Sequence, residues 1–196
     1  MTALRLMAVI LLDLTGVFAV TLVSDPHDHG STAMDSSITR HQGLLFGNAG
    51  LVAVVGLVSG FFLGFSVLGR IELWPLFATE MTVPGEVRAW RAAHVGCLMN
   101  ALLCGFGAMA LPFVAEGKAR VFVVYGLIVT AWANTAFYVF GVLGRTHGLS
   151  GYDVPGLGQG NAFDILAFLP AALASGVTIA CMIVIARGAF RGARQS

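Results

Sequence analysis

The chain has 196 residues, 57% of them hydrophobic and only 11% charged. A soluble domain carries about 25% charged residues, so this chain lacks the polar surface needed to face water and reads as an integral membrane protein. Its net charge of +1 excludes strong attraction to nucleic acid or to an acidic partner.

A helix needs roughly 20 apolar residues to cross a bilayer. The first apolar stretch, residues 6–23, is marginal in length and carries Asp13 near its middle. It is read as an extra spanning helix with Asp13 protonated or paired inside the bundle. Arg5 precedes it as in a secretory signal, but no clean A-x-A site follows. The polar stretch 24–41 contains His27-Asp28-His29; with no third ligand evident, it is taken as a solvated loop.

Residues 43–69 form the first clear span. Gly56, Gly60 and Gly64 recur there at four-residue spacing, a stripe that lets a second helix, or a flat cofactor, approach closely. The amphipathic connection 70–91 holds Trp74, Pro75, Pro84 and Gly85. It is expected at the membrane interface, with Trp74 and Trp90 as headgroup-level anchors.

The next span, 92–115, carries His94 and Asn100. Buried in hydrocarbon, such groups cost free energy unless something occupies them. Imidazole is also a favoured ligand for iron, copper and zinc. Cys97, Ala101 and Cys104 share roughly the face of His94, whereas Asn100 is offset by about 120° around the helix. The three cysteines, Cys97, Cys104 and Cys181, form no CxxC pair and read as free thiols packed as small core residues.

In the third span, 121–144, Thr130, Asn134 and Tyr138 recur at i, i+4 and i+8, suggesting a polar line along one face. The connection 145–161 is rich in glycine. The last span, 162–186, opens with Asp164 near the helix N-terminus and contains Pro170, which predicts a kink. The basic tail (Arg187, Arg191, Arg194) tips the orientation towards a cytoplasmic C-terminus.

Taken together, the predicted fold is an all-α integral membrane protein: a four-helix transmembrane core with an extra N-terminal helix. Residues 1–41 are the extension, 42–187 the helical unit and 188–196 a tail. No second histidine lies inside the spans, so a metal on His94 would keep an open coordination position. That suits Lewis-acid chemistry or gas binding better than simple electron transfer.

The ordered set Val83-Pro84-Gly85, Trp90, Ala93-His94, Asn100, Trp132, Asn134, Phe137-Tyr138, Phe140, Gly148-Leu149 and Asp164-Ile165 resembles the bacterial styrene oxide isomerases. The resemblance spans roughly residues 42–186. It implies a multi-pass inner-membrane homotrimer with ferric haem b near subunit interfaces, converting lipophilic aryl epoxides to aldehydes by a Meinwald rearrangement. By the same resemblance, His94 is the axial haem-iron ligand. Asn100 and Tyr138 line the substrate side, and Asn134 is a further polar position on the helix of Tyr138. The chain departs from the family representative in carrying Thr130 instead of an aspartate, and in its first 40 residues. From the residues alone a non-catalytic haem protein, such as a gas sensor or electron-transfer subunit, is the alternative. A haem-free transporter is a third reading, although no internal repeat is found.

Overall fold

The computed structural model describes residues 33–194. The proposed helix at 6–23, Asp13 and the His27-Asp28-His29 triplet lie outside the described residues. Within them the expected all-α membrane architecture is present: α1 (Ala33–Leu68), α2 (Val87–Ala110), α3 (Lys118–Gly141) and α4 (Ala162–Ala193), each long and apolar enough to cross a bilayer. The protein is therefore a multi-pass membrane protein. Helices form because every backbone N–H and C=O must be paired within lipid.

Consecutive helices pack against one another, α1 on α2, α2 on α3 and α3 on α4, with a lesser contact between α1 and α3. One core runs along this seam through Leu45, Val52, Cys97, Cys104, Val124 and Leu127. A second, smaller one joins Phe62, Val83, Trp90, Ala93 and Val142 near the start of α2. Tyr138 packs against both. The large apolar side chains left outside, such as Leu57, Phe61, Leu102, Met109, Leu173 and Ile179, face where hydrocarbon would be. Cys97, Cys104 and Cys181 are free and buried, as expected.

Helix ends differ from the hydropathy reading in an instructive way. The second helix starts at Val87 rather than residue 92, taking Arg88 and Arg91 into its first turns, and the third starts at Lys118 rather than residue 121. Arginine and lysine stems can lie along a helix while their charged heads reach water, so apolarity ends before helicity does. The last helix runs unbroken through Pro170.

Both longer connections contain short antiparallel hairpins that the apolar pattern did not reveal. In the first, β1 (Arg70–Leu73) pairs with β2 (Phe77–Glu80), Arg70 opposite Glu80 and Leu73 opposite Phe77. In the second, β3 (Asp153–Val154) pairs with β4 (Gly158–Gln159). Trp74, at the first hairpin's tip, is exposed, consistent with an interfacial anchor. Trp90 is not one: it lies inside α2 and is 2% exposed. Its ring stacks on Phe62 at 4.8 Å, and its indole N–H donates to the Pro84 carbonyl at 2.9 Å. A buried indole needs such a partner, and the chain entering α2 supplies it.

Candidate functional site

His94 projects from α2 towards α1. Its Nδ1 lies 2.8 Å from the Gly56 carbonyl oxygen, so Nδ1–H donates, and in the neutral tautomer this selects, the lone pair is on Nε2. The ring can lie this close because Gly60 has no side chain: a Cβ there would sit 2.7 Å from Nδ1 and 2.9 Å from Cε1. Around Gly56, the same helix is approached by Leu98 and Cys97 of α2. A Cβ at Gly64 would meet nothing within 4 Å. Two of the three glycines in the stripe thus form the seat of the imidazole.

A histidine whose Nδ1 is anchored on a backbone carbonyl is oriented to present Nε2 to a metal. Among the described residues no group of three or more His, Cys, Asp or Glu could hold a metal ion. His94 therefore suits a metal that brings its other ligands with it, as iron does in haem.

Asn100 and Tyr138 belong to the other contact of α2, with α3. Asn100 is buried; its amide donates to the Gly96 carbonyl at 2.8 Å, and its Oδ1 accepts from Asn134 Nδ2 at 3.0 Å. The Tyr138 ring rests on Gly96, where an added Cβ would overlap it. Phe137 meets that ring edge-on at 5.2 Å. The Tyr138 hydroxyl makes no hydrogen bond among the described residues. Tyr138 shares α3 with Asn134, four residues earlier in the helix.

These groups do not converge on His94 within one chain. The imidazole leaves α2 towards α1, whereas the asparagine pair and the tyrosine lie between α2 and α3. Thr130 leaves the polar line as well. Its hydroxyl accepts from Thr178 at 3.0 Å and donates to the Ala174 carbonyl at 3.4 Å, tying α3 to α4. The reason is rotational, since eight residues advance a helix about 80° beyond two full turns. An expected single line from Thr130 to Tyr138 is thus two features facing different neighbours.

Two further features escaped the sequence reading. Asn48 of α1 accepts from Trp132 Nε1 at 2.9 Å, a polar tie from α1 to α3. The second is the loop after α3. Asp164, fully buried, accepts from the backbone N–H groups of Arg145 (2.9 Å), Thr146 (3.1 Å), Gly148 (2.8 Å) and Asn161 (2.8 Å). Asn161 returns the favour to the N–H of Asp164, completing a capping box at the start of α4. The expected N-terminal aspartate is present, and it also holds a loop. That loop carries His147 in the left-handed region (φ 54°). A pocket lined by Ala89, Ala92, Phe137, Tyr138, Gly141 and His147 lies beneath it.

Comparison with known proteins identifies the family of the chain. A styrene-oxide isomerase from Pseudomonas fluorescens is 28% identical over 153 residues, covering 76% of this chain and 90% of that relative. The family model for styrene oxide isomerase matches residues 41–190, a stretch that includes most of each of the four helices and every residue of the site. The chain belongs to the styrene oxide isomerase family.

Proposed function

We propose that the protein isomerises aryl epoxides of the styrene oxide type to aldehydes, using haem b held by His94. The observation that carries the reading is the imidazole fixed on the Gly56 carbonyl, with Nε2 left free and no protein-only metal cluster around it among the described residues. Family membership, and the name of the Pseudomonas fluorescens relative, supply the reaction class.

Ferric haem b, when bound, would supply the Lewis acidity that polarises the epoxide oxygen. The benzylic C–O bond then opens, leaving positive charge on the benzylic carbon. A hydride moves to that carbon from its neighbour, whose oxygen becomes the aldehyde. No electron is gained or lost, and the product is an isomer of the substrate.

The chain's own residues have three tasks. His94 holds the cofactor. The Tyr138 hydroxyl donates to the oxygen as it gains charge, and the Asn100–Asn134 pair keeps that region polar in a fixed geometry. The apolar surroundings, including Phe137 and Ala93, exclude the water that would otherwise capture the cation as a diol. Because His94 and Tyr138 face different neighbours of α2, a homotrimer in which subunits share the cofactor suits the geometry of the single chain. Burial of the site in an inner membrane suits a lipophilic substrate and product.

The test is an absorption spectrum of the detergent-solubilised protein together with a styrene oxide assay. A Soret band and phenylacetaldehyde formation are expected, and both are lost in His94→Ala. Deuterium placed on the terminal epoxide carbon should migrate to the benzylic carbon. Protein without a Soret band, or His94→Ala with full haem and activity, overturns the reading. Haem binding without turnover would mark a non-catalytic haem protein instead.

A further inference from the structure

His94 lies on the floor of a groove that opens outwards between α1 and α2. On one side of it around α2 come Ala93, Cys97 and Ala101, all buried against the bundle. On the other side come Arg91 and Val95, about 60° and 100° away, and both are exposed. On α1, Gly60 seats the imidazole, and Leu57 and Phe61 follow at about 60° and 100°, again exposed. The two helices run antiparallel, so these exposed flanks open to the same side of the pair. The imidazole itself is only partly buried. Its Nδ1 is committed to the Gly56 carbonyl, which leaves Nε2 for whatever fills the groove.

The two ends of the groove differ in chemistry. Towards the middle of the spans the exposed side chains of α2 are apolar, as at Met99 and Leu102. Towards the start of α2 stand Arg91 and Arg88, about 4.5 Å and 9 Å along the axis from His94 and turned to its exposed side. Among the described residues neither guanidinium makes a hydrogen bond or an ion pair. Arg70, by contrast, is held by Glu72 at 2.6 Å and Arg120 by Glu116 at 3.4 Å. Glu86, the carboxylate closest to them in sequence, faces His147 instead. Two unneutralised cations thus stand beside one intramembrane imidazole.

Haem b has the complementary asymmetry. One edge carries two propionate carboxylates and the rest of the ring is apolar. A carboxylate left in hydrocarbon is costly, so that edge belongs where cations and water are. The planar fork of arginine matches a carboxylate with two parallel hydrogen bonds.

We propose that Arg91 holds one haem propionate and that Arg88 is placed for the other, fixing the cofactor with its carboxylate edge towards the membrane surface at the start of α2. This rests on the reading that His94 holds haem b. Arg91 and Arg88 are positioning residues: they set the retention and rotational setting of the haem and leave the iron's ligand to His94.

The experiment compares full-length, haem-loaded wild type with Arg91→Gln, Arg91→Lys, Arg88→Gln and Arg187→Gln, the last an exposed arginine at the far end of α4. Haem transfer to excess apomyoglobin, followed by the Soret band, gives the rate of loss. Arg91→Gln should lose haem about 10–100-fold faster, the worth of a charge-assisted hydrogen bond, with the Soret maximum unmoved. Arg88→Gln should do the same to a lesser degree, and Arg91→Lys, which keeps the charge without the fork, should fall between. Arg187→Gln should match the wild type. The second measurement is the affinity for haem dimethyl ester, whose carboxylates are blocked. The wild type should hold the ester more weakly than haem, and in Arg91→Gln that difference should largely vanish. A purely structural role for Arg91 would weaken haem and ester alike, and that result overturns the proposal. The ester comparison on the wild type alone decides the matter should Arg91→Gln not fold, since equal affinity for haem and ester also overturns it. If His94→Ala abolishes haem binding while Arg91→Gln and Arg88→Gln lose haem at the wild-type rate, the arginine contact falls and the haem reading stands. If the wild type retains haem through Arg91 but leaves styrene oxide unchanged, the contact stands and the isomerase reading falls.

Discussion

His94 and Gly60 face each other across the contact of α1 and α2 so closely that a single methyl group on the glycine would collide with the imidazole. The position of the imidazole is therefore set by a residue with no chemistry of its own. Gly60→Ala should displace the ring from the Gly56 carbonyl and lower haem affinity roughly 10–100-fold, the usual effect of disturbing a ligand's supporting partner. Gly64→Ala, where a Cβ meets nothing, should leave affinity unchanged. Soret absorbance during haem titration of the two variants checks the contrast.

Gly96 plays the same part for Tyr138, because an added Cβ would overlap the phenol ring. Gly96→Ala should therefore move the hydroxyl while leaving His94 seated. The expected result is a normal Soret band with a kcat lower by about 100-fold, within the range for losing one donor aimed at a developing oxyanion. Gly105→Ala, with its nearest neighbour 4.0 Å from the added carbon, is the matched control. Steady-state kinetics on haem-normalised protein reads the difference.

Removing one partner of the asparagine pair should cost more than the bond itself. Asn134→Ala leaves the buried Asn100 Oδ1 without its donor, a penalty of about 1–3 kcal/mol. The double variant Asn100→Ala/Asn134→Ala should lose less than the sum of the two single variants, since no orphaned atom remains. Thermal melting of the solubilised protein gives the stability cycle, and kcat/KM measured alongside shows whether activity follows it.

Asp164 is expected to be the least replaceable residue outside the spans' apolar contacts. Four backbone donors converge on its carboxylate, and Asp164→Ala would leave several of them buried and unmet. A loss of about 3 kcal/mol or more follows from one to two such groups. Asp164→Asn should be only a little better, because its amide NH2 faces donors instead of acceptors. Melting temperature, together with proteolysis within 145–161, would show the loop loosening before the bundle melts.

The membrane class and the four spans were legible in the sequence, and His94 stood out there as a candidate, because each follows from a one-dimensional property. Span length comes from the bilayer's thickness, and a lone intramembrane imidazole is expensive wherever it sits. Asp164 was legible at a helix start because a carboxylate there complements the helix dipole. Helix starts were less so: Arg88, Arg91 and Lys118 mask helical turns that carry charge outwards.

What only the tertiary structure decided is which neighbour each face of a helix meets. Trp90 looks interfacial by its place before a span, yet Phe62 and the Pro84 carbonyl, respectively 28 and 6 residues away in sequence, make it core. Thr130 and Tyr138 share a helical pattern, but the bundle gives the first to α4 and the second to α2. His94 acquires its anchor from Gly56, 38 residues earlier, and His147 acquires its pocket only because Asp164 folds a loop back over α2 and α3. Composition and periodicity determine that an apolar helix forms and what polar groups it carries. Where those groups point depends on long-range packing, which no local pattern encodes.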